Sequence, residues 1–374
     1  MFDESILKTG ERAVFALRSL YRKYGYQPYK MSKFEEYDLY ARNKDFLVSD
    51  SVITFTDTNG KLMALKPDVT LSIIKNYQDE PGCMQRVYYN ENVYRISDST
   101  HVYKEILQTG LECMGDLTAY DRMEVLRLAV ESLKTISGDY VLEISHMGIL
   151  SGLLSQAEAG QEFAERITTL IADKNAHEVP AVCEAYGVSA ELAEKLVQFI
   201  GIYGQRDKVL SELEAICAGQ EMAEALAELR DISAELDRWD GADRIRFDFS
   251  LVNDMRYYDG IVFQGYVEGI PDVILTGGQY DRLMKRMGRK SGAIGFALYL
   301  DLLESFLAEP ERFDVDVILL CDEDAEPDAL KDMVETYRKQ GLSVSVQREV
   351  PKKLSCRQLV KFNNKGVEVL ETND

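Results

Sequence analysis

The sequence predicts an α+β protein: a mainly antiparallel sheet flanked by helices, interrupted by a helical insert and followed by a small α/β segment. Apolar residues recur three and four apart over residues 4–24 and 121–136, the spacing of amphipathic helices. Between these two helices, β-rich runs follow one another, which favours antiparallel pairing. Residues 150–240 are dominated by Ala, Glu and Leu, a composition typical of helices.

The elements before the insert begin with the helix at residues 4–24. Residues 47–71 then hold two β-rich runs around Asn59-Gly60, a residue pair that favours a tight hairpin turn. Further strand-like runs lie at residues 87–89, 93–94, 106–107 and 111–114. Helical spacing returns at residues 121–136.

The insert carries 18 acidic and 7 basic residues, and its glycines divide it into about four to six short helices. Strand character returns at residues 245–251, 261–267 and 273–275, and residues 294–308 read as a helix. We therefore predict one domain built from residues 1–149 and 241–310, with residues 150–240 as an insertion. The segment 311–374 predicts strand, helix, strand, helix and strand with right-handed crossovers, its second helix at residues 353–362.

Composition excludes several classes of protein. The 374 residues, 46% apolar and 29% charged, can bury ordinary cores and are too many for one compact domain. Lys and Arg number 43 against 64 Asp and Glu, and the net charge of −21 repels a phosphate backbone, so nucleic acid is disfavoured as a partner. The six cysteines show no CxxC pairing and there are three histidines, so no metal site or disulfide framework is expected.

The sequence gives no sign of membrane insertion or export. Charged side chains are spread through residues 1–20, which excludes an apolar signal core. No uncharged apolar stretch approaches the roughly 18 residues that span a bilayer. With reduced thiols as well, a cytoplasmic location is expected.

Two segments combine polar residues with strand ends. In LKPDVT, residues 65–70, Asp68 and Thr70 lie two apart and share one side of an extended chain, although both types also cap helices. In residues 86–115, Arg95 ends an apolar run and has the donor fork that suits a carboxylate or phosphate. Gln108 and Glu112 share one strand face there, and an ordinary hairpin with exposed polar positions is the alternative.

A third segment joins LVNDMRYYDGIVFQGY at residues 251–266 with GGQYDRLMKRMGRKSGAIGFAL at residues 277–298. The pair Tyr257-Tyr258, followed by Gly260 and a β run, is compatible with sheet packing as well as with a ligand wall. The GG-x-YD element lacks the spacing of known phosphate-binding loops. It therefore predicts close backbone approach within a sheet, where only glycine fits.

Taken in order, these segments resemble the catalytic domain of class II histidyl-tRNA synthetases over residues 4–308, and the tail resembles a shortened anticodon-binding domain. That family has LRPEGT where this chain has LKPDVT, FRxE and QxGxE within residues 86–115, and LVRGLDYY at residue 251. The helical insert also falls where the family carries one. The resemblance implies a class II synthetase-like fold and a histidine pocket made of Asp68, Thr70, Arg95, Gln108, Glu112, Tyr257 and Tyr258.

Those residue types suit free histidine, whose ammonium, carboxylate and ring nitrogens all need partners in a dry pocket. In the implied arrangement, Asp68, Thr70 and Gln108 receive the ammonium. Arg95 holds the carboxylate, while Glu112 and Tyr258 meet the imidazole. Such a site rejects apolar amino acids of similar size by orders of magnitude, because its buried polar groups would lose their partners.

The departures from the family lie on the nucleotide side. Ser97 replaces the Glu of FRxE, Asn253 replaces the Arg of LVRG, and Leu302 replaces the Arg of the terminal GFAxGxER motif. Tyr299 and Asp301 replace its Gly and Glu. Each lost group that stabilises phosphate charge costs several kcal/mol in the transition state. We therefore predict no adenylation activity and no catalytic residues.

An intact amino-acid side beside a lost nucleotide side resembles the regulatory-subunit family of ATP phosphoribosyltransferase. The resemblance implies a catalytically silent chain without a cofactor, which binds histidine and activates and feedback-controls the short-form catalytic subunit in histidine biosynthesis. It also implies a homodimer within a hetero-octamer. The roughly 60 residues beyond residue 310 extend past the usual end of that family.

Two alternatives stay open at this point. One is a divergent synthetase-like enzyme, such as an aminoacyl ligase with another acceptor. The other is a tRNA-binding paralogue, whose basic surface would lie on the predicted tail helix. The residues available for it are Lys352, Lys353, Arg357, Lys361 and Lys365.

Overall fold

The computed structural model describes residues 7–47, 52–97, 101–252, 257–306, 313–323, 325–363 and 366–373. The chain divides into two compact units, Met1–Ala308 and Glu309–Asp374. Among the described residues, no helix combines the length and the apolar content needed to cross a membrane.

The described helices and strands of the first unit, in chain order, fall into two sets. The helices are α1 (Thr9–Lys23), α2 (Tyr37–Arg42), α3 (Thr70–Asn76), α4 (Ala119–Ile136), α5 (Met147–Gln156), α6 (Gly160–Ala172), α7 (Val179–Ala185), α8 (Ala190–Ile200), α9 (Arg206–Ile216), α10 (Gln220–Leu236), α11 (Asp281–Arg286) and α12 (Asp301–Phe306). The strands are β1 (Gln27–Pro28), β2 (Phe34–Glu36), β3 (Thr54–Thr56), β4 (Leu62–Leu65), β5 (Gln85–Ile96), β6 (Tyr103–Gly115), β7 (Tyr140–His146), β8 (Tyr203–Gly204), β9 (Ile245–Asp248), β10 (Ile261–Val267), β11 (Leu275–Gln279) and β12 (Gly292–Tyr299).

A nine-stranded sheet organises this unit, in the order β1-β5-β6-β12-β11-β10-β7-β9-β8. Neighbouring strands are antiparallel except for the pairs β1–β5 and β7–β9. One face packs against α1, α4 and the helices of the insert, and the other packs against α3 and α11. The predicted antiparallel α+β architecture is confirmed.

The predicted elements before the insert are also confirmed. The hairpin around Asn59-Gly60 is formed by β3 and β4, which pair antiparallel and join β2 in a small sheet of order β2-β4-β3. Gly60 has φ +81°, a backbone region that strongly favours glycine. Between residues 147 and 236, α5 to α10 account for the predicted run of short helices.

The helix predicted at residues 294–308 is wrong over its first half, which forms β12. This strand lies between β6 and β11 at the middle of the sheet, so residues on both of its faces are buried. Ala293 packs on one side of the sheet and Ile294 on the other. A strand buried on both faces shows no alternation of polar and apolar residues, and short apolar runs of this kind cannot be distinguished from a helix by pattern.

The second unit contains β13 (Val315–Cys321), α13 (Pro327–Lys339), β14 (Val344–Gln347), β15 (Cys356–Asn363) and β16 (Gly366–Thr372). The sheet order is β14-β13-β15-β16, with β15 and β16 antiparallel. The helix predicted at residues 353–362 is wrong, because β15 occupies most of that segment. Val360 and Phe362 pack on the α13 side while Leu359 packs on the opposite face, so apolar residues again lie on both sides.

This correction removes the single basic helix face expected in the tail. Arg357 and Lys361 lie on a strand, where Arg357 pairs with Asp316 at 3.5 Å and Lys361 pairs with Asp322 at 3.2 Å. Lys365 lies outside the described residues. The tail cations therefore do not form the surface on which the tRNA-binding alternative depended.

Candidate amino-acid-binding site

A cavity of about 200 Å³ opens beside the centre of the large sheet. Three stretches far apart in sequence form it: the residues that lead into α3, the paired strands β5 and β6, and the residues just before β10. All of the predicted pocket residues line this one cavity. They are Asp68, Thr70, Arg95, Gln108, Glu112, Tyr257 and Tyr258.

Glu112 lies at the bottom of the cavity, with 2% of its surface exposed. The Tyr280 hydroxyl donates to its Oε2 at 2.6 Å, and the Thr70 hydroxyl donates to its Oε1 at 2.8 Å. Burial raises the pKa of Glu112 to about 8, although both hydroxyl bonds act in the opposite direction. This carboxyl group can therefore exist in either protonation state near neutral pH.

Space for the Glu112 carboxyl group depends on Gly295, which pairs directly opposite Glu112 in the β6–β12 ladder. A Cβ atom on Gly295 would lie 1.7 Å from the Glu112 Oε2 atom and 2.4 Å from the Leu111 carbonyl oxygen. The GG pair of β11 is equally constrained, since a Cβ on Gly277 would lie 2.5 Å from that of Phe296. The predicted close approach of backbones at this pair is confirmed.

Asp68 acts as a helix cap and also lines the cavity. Its Oδ1 accepts a hydrogen bond from the Leu71 backbone N–H at 2.8 Å, which caps the first turn of α3. The side chain is buried, and burial raises its pKa against the opposing effects of the backbone N–H groups and of Arg95. The cap fixes one oxygen and so orients the carboxylate within the cavity.

Arg95 is the single cationic side chain among the described residues that line the cavity. Its Nε donates to the Pro67 carbonyl oxygen at 3.0 Å, which holds the guanidinium near the start of the Asp68 cap. The lining thus presents two acidic side chains and one basic side chain. This balance suits a ligand with one anionic group and more than one cationic or N–H donor group.

Tyrosine rings form one wall of the cavity. The Tyr257 ring centroid lies 4.8 Å from that of Tyr258 and 5.8 Å from that of Tyr280. Sequence reasoning missed Tyr280, because GG-x-YD was interpreted only as tight backbone packing. The available signal was its position, because it directly follows β11 at the edge where the other pocket residues converge.

The described nucleotide-side positions carry none of the expected cations. Leu302 packs partly buried against the main core, and Asp301 places a half-buried carboxylate at the start of α12. Tyr299 lines the cavity itself, with its hydroxyl 3.2 Å from that of Thr276. Asn253 lies outside the described residues. No three His, Cys, Asp or Glu side chains in the described ranges converge in a way that could hold a metal ion.

Comparison with known proteins places this geometry in a family. The sequence profile of the histidyl-tRNA synthetases matches residues 4–303. The chain belongs to the histidyl-tRNA synthetase family. The histidyl-tRNA synthetase profile therefore covers the whole cavity, including β12 and the positions of Tyr299 and Asp301.

Within the histidyl-tRNA synthetase family, curated relatives carry a more specific name. A protein of Oceanobacillus iheyensis named ATP phosphoribosyltransferase regulatory subunit is 29% identical over 314 residues, covering 83% of this chain and 77% of its own length. A protein of Acetivibrio thermocellus with the same name is 26% identical, covering 88% of this chain and 81% of its own length. The predicted likeness to this regulatory-subunit group is confirmed.

Solved structures agree on the fold. A Bacillus halodurans structure described as an ATP phosphoribosyltransferase regulatory subunit/histidyl-tRNA synthetase has a TM-score of 0.73 at 24% identity, covering 91% of this chain and 88% of that chain. A chain of the ATP phosphoribosyl transferase (HisG:HisZ) complex from Thermotoga maritima has a TM-score of 0.61 at 22% identity, covering 78% and 97%. The class II synthetase-like fold is thereby confirmed.

Burial of Glu112 predicts a specific pH dependence of stability. The folded protein retains this proton up to about pH 8, whereas the unfolded chain releases it near the ordinary pKa of 4.5. The folded state thus binds more protons in this window, so the free energy of unfolding falls as the pH rises, by up to about 1.4 kcal/mol per pH unit. We expect Glu112→Gln to flatten this dependence in urea titrations between pH 5 and pH 8.5; an unchanged slope would contradict the assignment.

Gly295→Ala tests whether the cavity floor depends on a missing side chain. The added methyl group would overlap the Glu112 carboxyl group and the Leu111 backbone, so we expect a loss of several kcal/mol in the free energy of unfolding. Gly201→Ala is a matched control, because its nearest neighbour would be the Gln198 carbonyl oxygen at 3.4 Å. Equal thermal stability of the two variants would show that Gly295 is not constrained in this way.

Proposed function

We propose that the chain is the regulatory subunit of ATP phosphoribosyltransferase in histidine biosynthesis, and that it binds free histidine in the cavity around Glu112. One observation carries the proposal. The amino-acid-side residues converge on one buried cavity, while the described nucleotide-side positions present a leucine, a tyrosine and an aspartate. The names of the curated relatives support the same assignment.

The cavity matches the polar groups of histidine one by one. Asp68 and Gln108 face the ammonium, and Arg95 offers a donor fork to the carboxylate. Glu112 meets the imidazole, because its two oxygens are already oriented by Tyr280 and Thr70 and retain lone pairs for a ring N–H. An amino acid of the same size without ring nitrogens would leave the Glu112 carboxyl group unpaired in a buried site.

The same cavity is unfavourable for a nucleotide triphosphate. Two acidic lining residues stand against the single Arg95, and Asp301 adds a third carboxylate nearby. Anionic phosphates would be repelled rather than clamped, and charge developing in an adenylation transition state would lack stabilisation. In this proposal the chain therefore has no catalytic activity of its own.

The proposal gives the chain a cytoplasmic role in an assembly. It forms a homodimer that joins the short-form catalytic subunit in a hetero-octamer, activates that subunit and transmits feedback inhibition by histidine. For histidine to regulate, it must bind one arrangement of the complex more tightly, typically by about 1 to 3 kcal/mol of coupling free energy. The likeness to a chain of the Thermotoga maritima complex supports an assembly of this kind.

Co-purification with the short-form catalytic subunit of the same organism tests the assembly. We expect a stable complex with higher phosphoribosyltransferase activity than the catalytic subunit alone, and inhibition by added histidine. The control is Arg95→Ala in this chain, which should preserve the complex and reduce its response to histidine. A catalytic subunit whose activity is the same with and without this chain would overturn the proposal.

A further inference from the structure

The outward face of α1 differs from the rest of this acidic molecule. Helix α1 carries the single acid Glu11 against four cations, a net charge of +3 within a chain of net charge −21. The exposed side chains on this face, called the α1 face below, are Arg12, Phe15, Arg18, Ser19, Arg22 and Lys23. At helical spacing, Phe15 lies near the middle of the face with cations around it.

An exposed aromatic ring stands at this central position. Phe15 is 54% exposed, and the Arg18 guanidinium carbon lies 5.9 Å from the centroid of its ring. None of the four cations forms an ion pair with a carboxylate among the described residues, although the chain has an excess of acids. A large apolar side chain surrounded by unpaired arginines is typical of protein-binding hot spots.

The buried side of the same helix reaches the cavity. Tyr21 is fully buried, its hydroxyl lies 3.0 Å from that of Ser132, and its ring meets the Phe296 ring edge-on at 6.1 Å between centroids. Phe296 lines the cavity. One rigid helix thus contacts the cavity wall on its inner side and presents the α1 face on its outer side.

We propose that the α1 face is the docking surface for a protein partner whose contact surface is acidic and holds an apolar socket for Phe15. Charge complementarity favours this occupant, since acidic residues on the partner would neutralise cations that this chain leaves unpaired. The inference rests on the proposed function, under which that partner is the short-form catalytic subunit. Contact between α1 and the cavity wall also gives histidine a physical route to this surface.

Surface plasmon resonance with the full chain and the intact catalytic subunit, at about 150 mM salt, tests the assignment. We expect Phe15→Ala and the double variant Arg18→Glu/Arg22→Glu each to weaken binding by about tenfold or more. The matched controls are Lys285→Glu/Arg286→Glu, two exposed cations on α11, and Tyr203→Ala, an aromatic side chain 60% exposed on the insert. Both controls should bind within about twofold of the unmodified chain.

The outcomes separate this assignment from the proposed function. If the unmodified chain fails to bind the catalytic subunit, the proposed function itself fails. If it binds and the α1 variants bind equally well, or if only the α11 control weakens binding, the α1 face is not the docking surface. If the α1 variants instead reduce the mass of the chain alone in sedimentation, the face joins two copies of this chain and the assignment is overturned. Unchanged histidine binding by the variants shows that they are folded.

Discussion

Replacement of Glu112 by glutamine is expected to weaken histidine binding about 100-fold while leaving the protein folded. The Glu112 carboxyl group is buried and aligned by two hydroxyl donors, so its bond to a ring N–H is made in a site without competing water. Removing one partner of a buried charged hydrogen bond costs about 2 to 5 kcal/mol in binding. Isothermal titration of the variant with histidine measures this loss.

Glu105→Gln is the matched control for this variant. Glu105 lies on the same strand β6 but is exposed, and it accepts hydrogen bonds from Asn92 and Tyr94 rather than facing the cavity. We expect its affinity for histidine to equal that of the unmodified chain. Equal histidine affinity of the two variants would remove Glu112 from the site.

No histidine-dependent exchange of pyrophosphate into ATP is expected from the purified chain. Adenylation needs cations around the triphosphate, and removing one group that stabilises such charge lowers the rate by about 10² to 10³. The described nucleotide-side positions carry Leu302 and Asp301, and Arg95 is the one cation lining the cavity in the described part of the chain. Losses at two positions would reduce exchange below detection.

The exchange assay is informative because the histidyl-tRNA synthetase of the same organism provides a positive control under identical conditions. Neither Arg95→Ala nor Glu112→Gln should alter the signal of this chain, since no activity is expected to be lost. Exchange that requires histidine and disappears in these variants would identify the chain as an active enzyme, contrary to the proposed regulatory function.

The sequence predicted the composition of the cavity better than its construction. Asp68, Arg95 and Glu112 could be selected because each is a polar residue at the end or on one face of a recognisable strand. Tyr280 and Gly295 could not, because their importance arises from strand pairing between distant segments. Gly295 matters only because it pairs with Glu112 across β6 and β12, a register that no local pattern encodes.

Two elements were assigned to the wrong secondary structure for one physical reason. Both β12 and β15 are buried on two faces by helices or neighbouring strands, so apolar residues occupy consecutive positions. Periodicity distinguishes a half-buried strand from a helix, but it fails when both faces are apolar. By contrast, the β3–β4 hairpin was predictable, because Asn59-Gly60 specifies its turn locally.

Parallel calorimetric titrations of the full chain with histidine and with ATP most directly test whether the cavity selects the amino acid over the nucleotide. We expect saturable binding of histidine at one site per chain, and for ATP no binding tighter than about 1 mM. Saturable ATP binding together with no heat from histidine would contradict the proposed function.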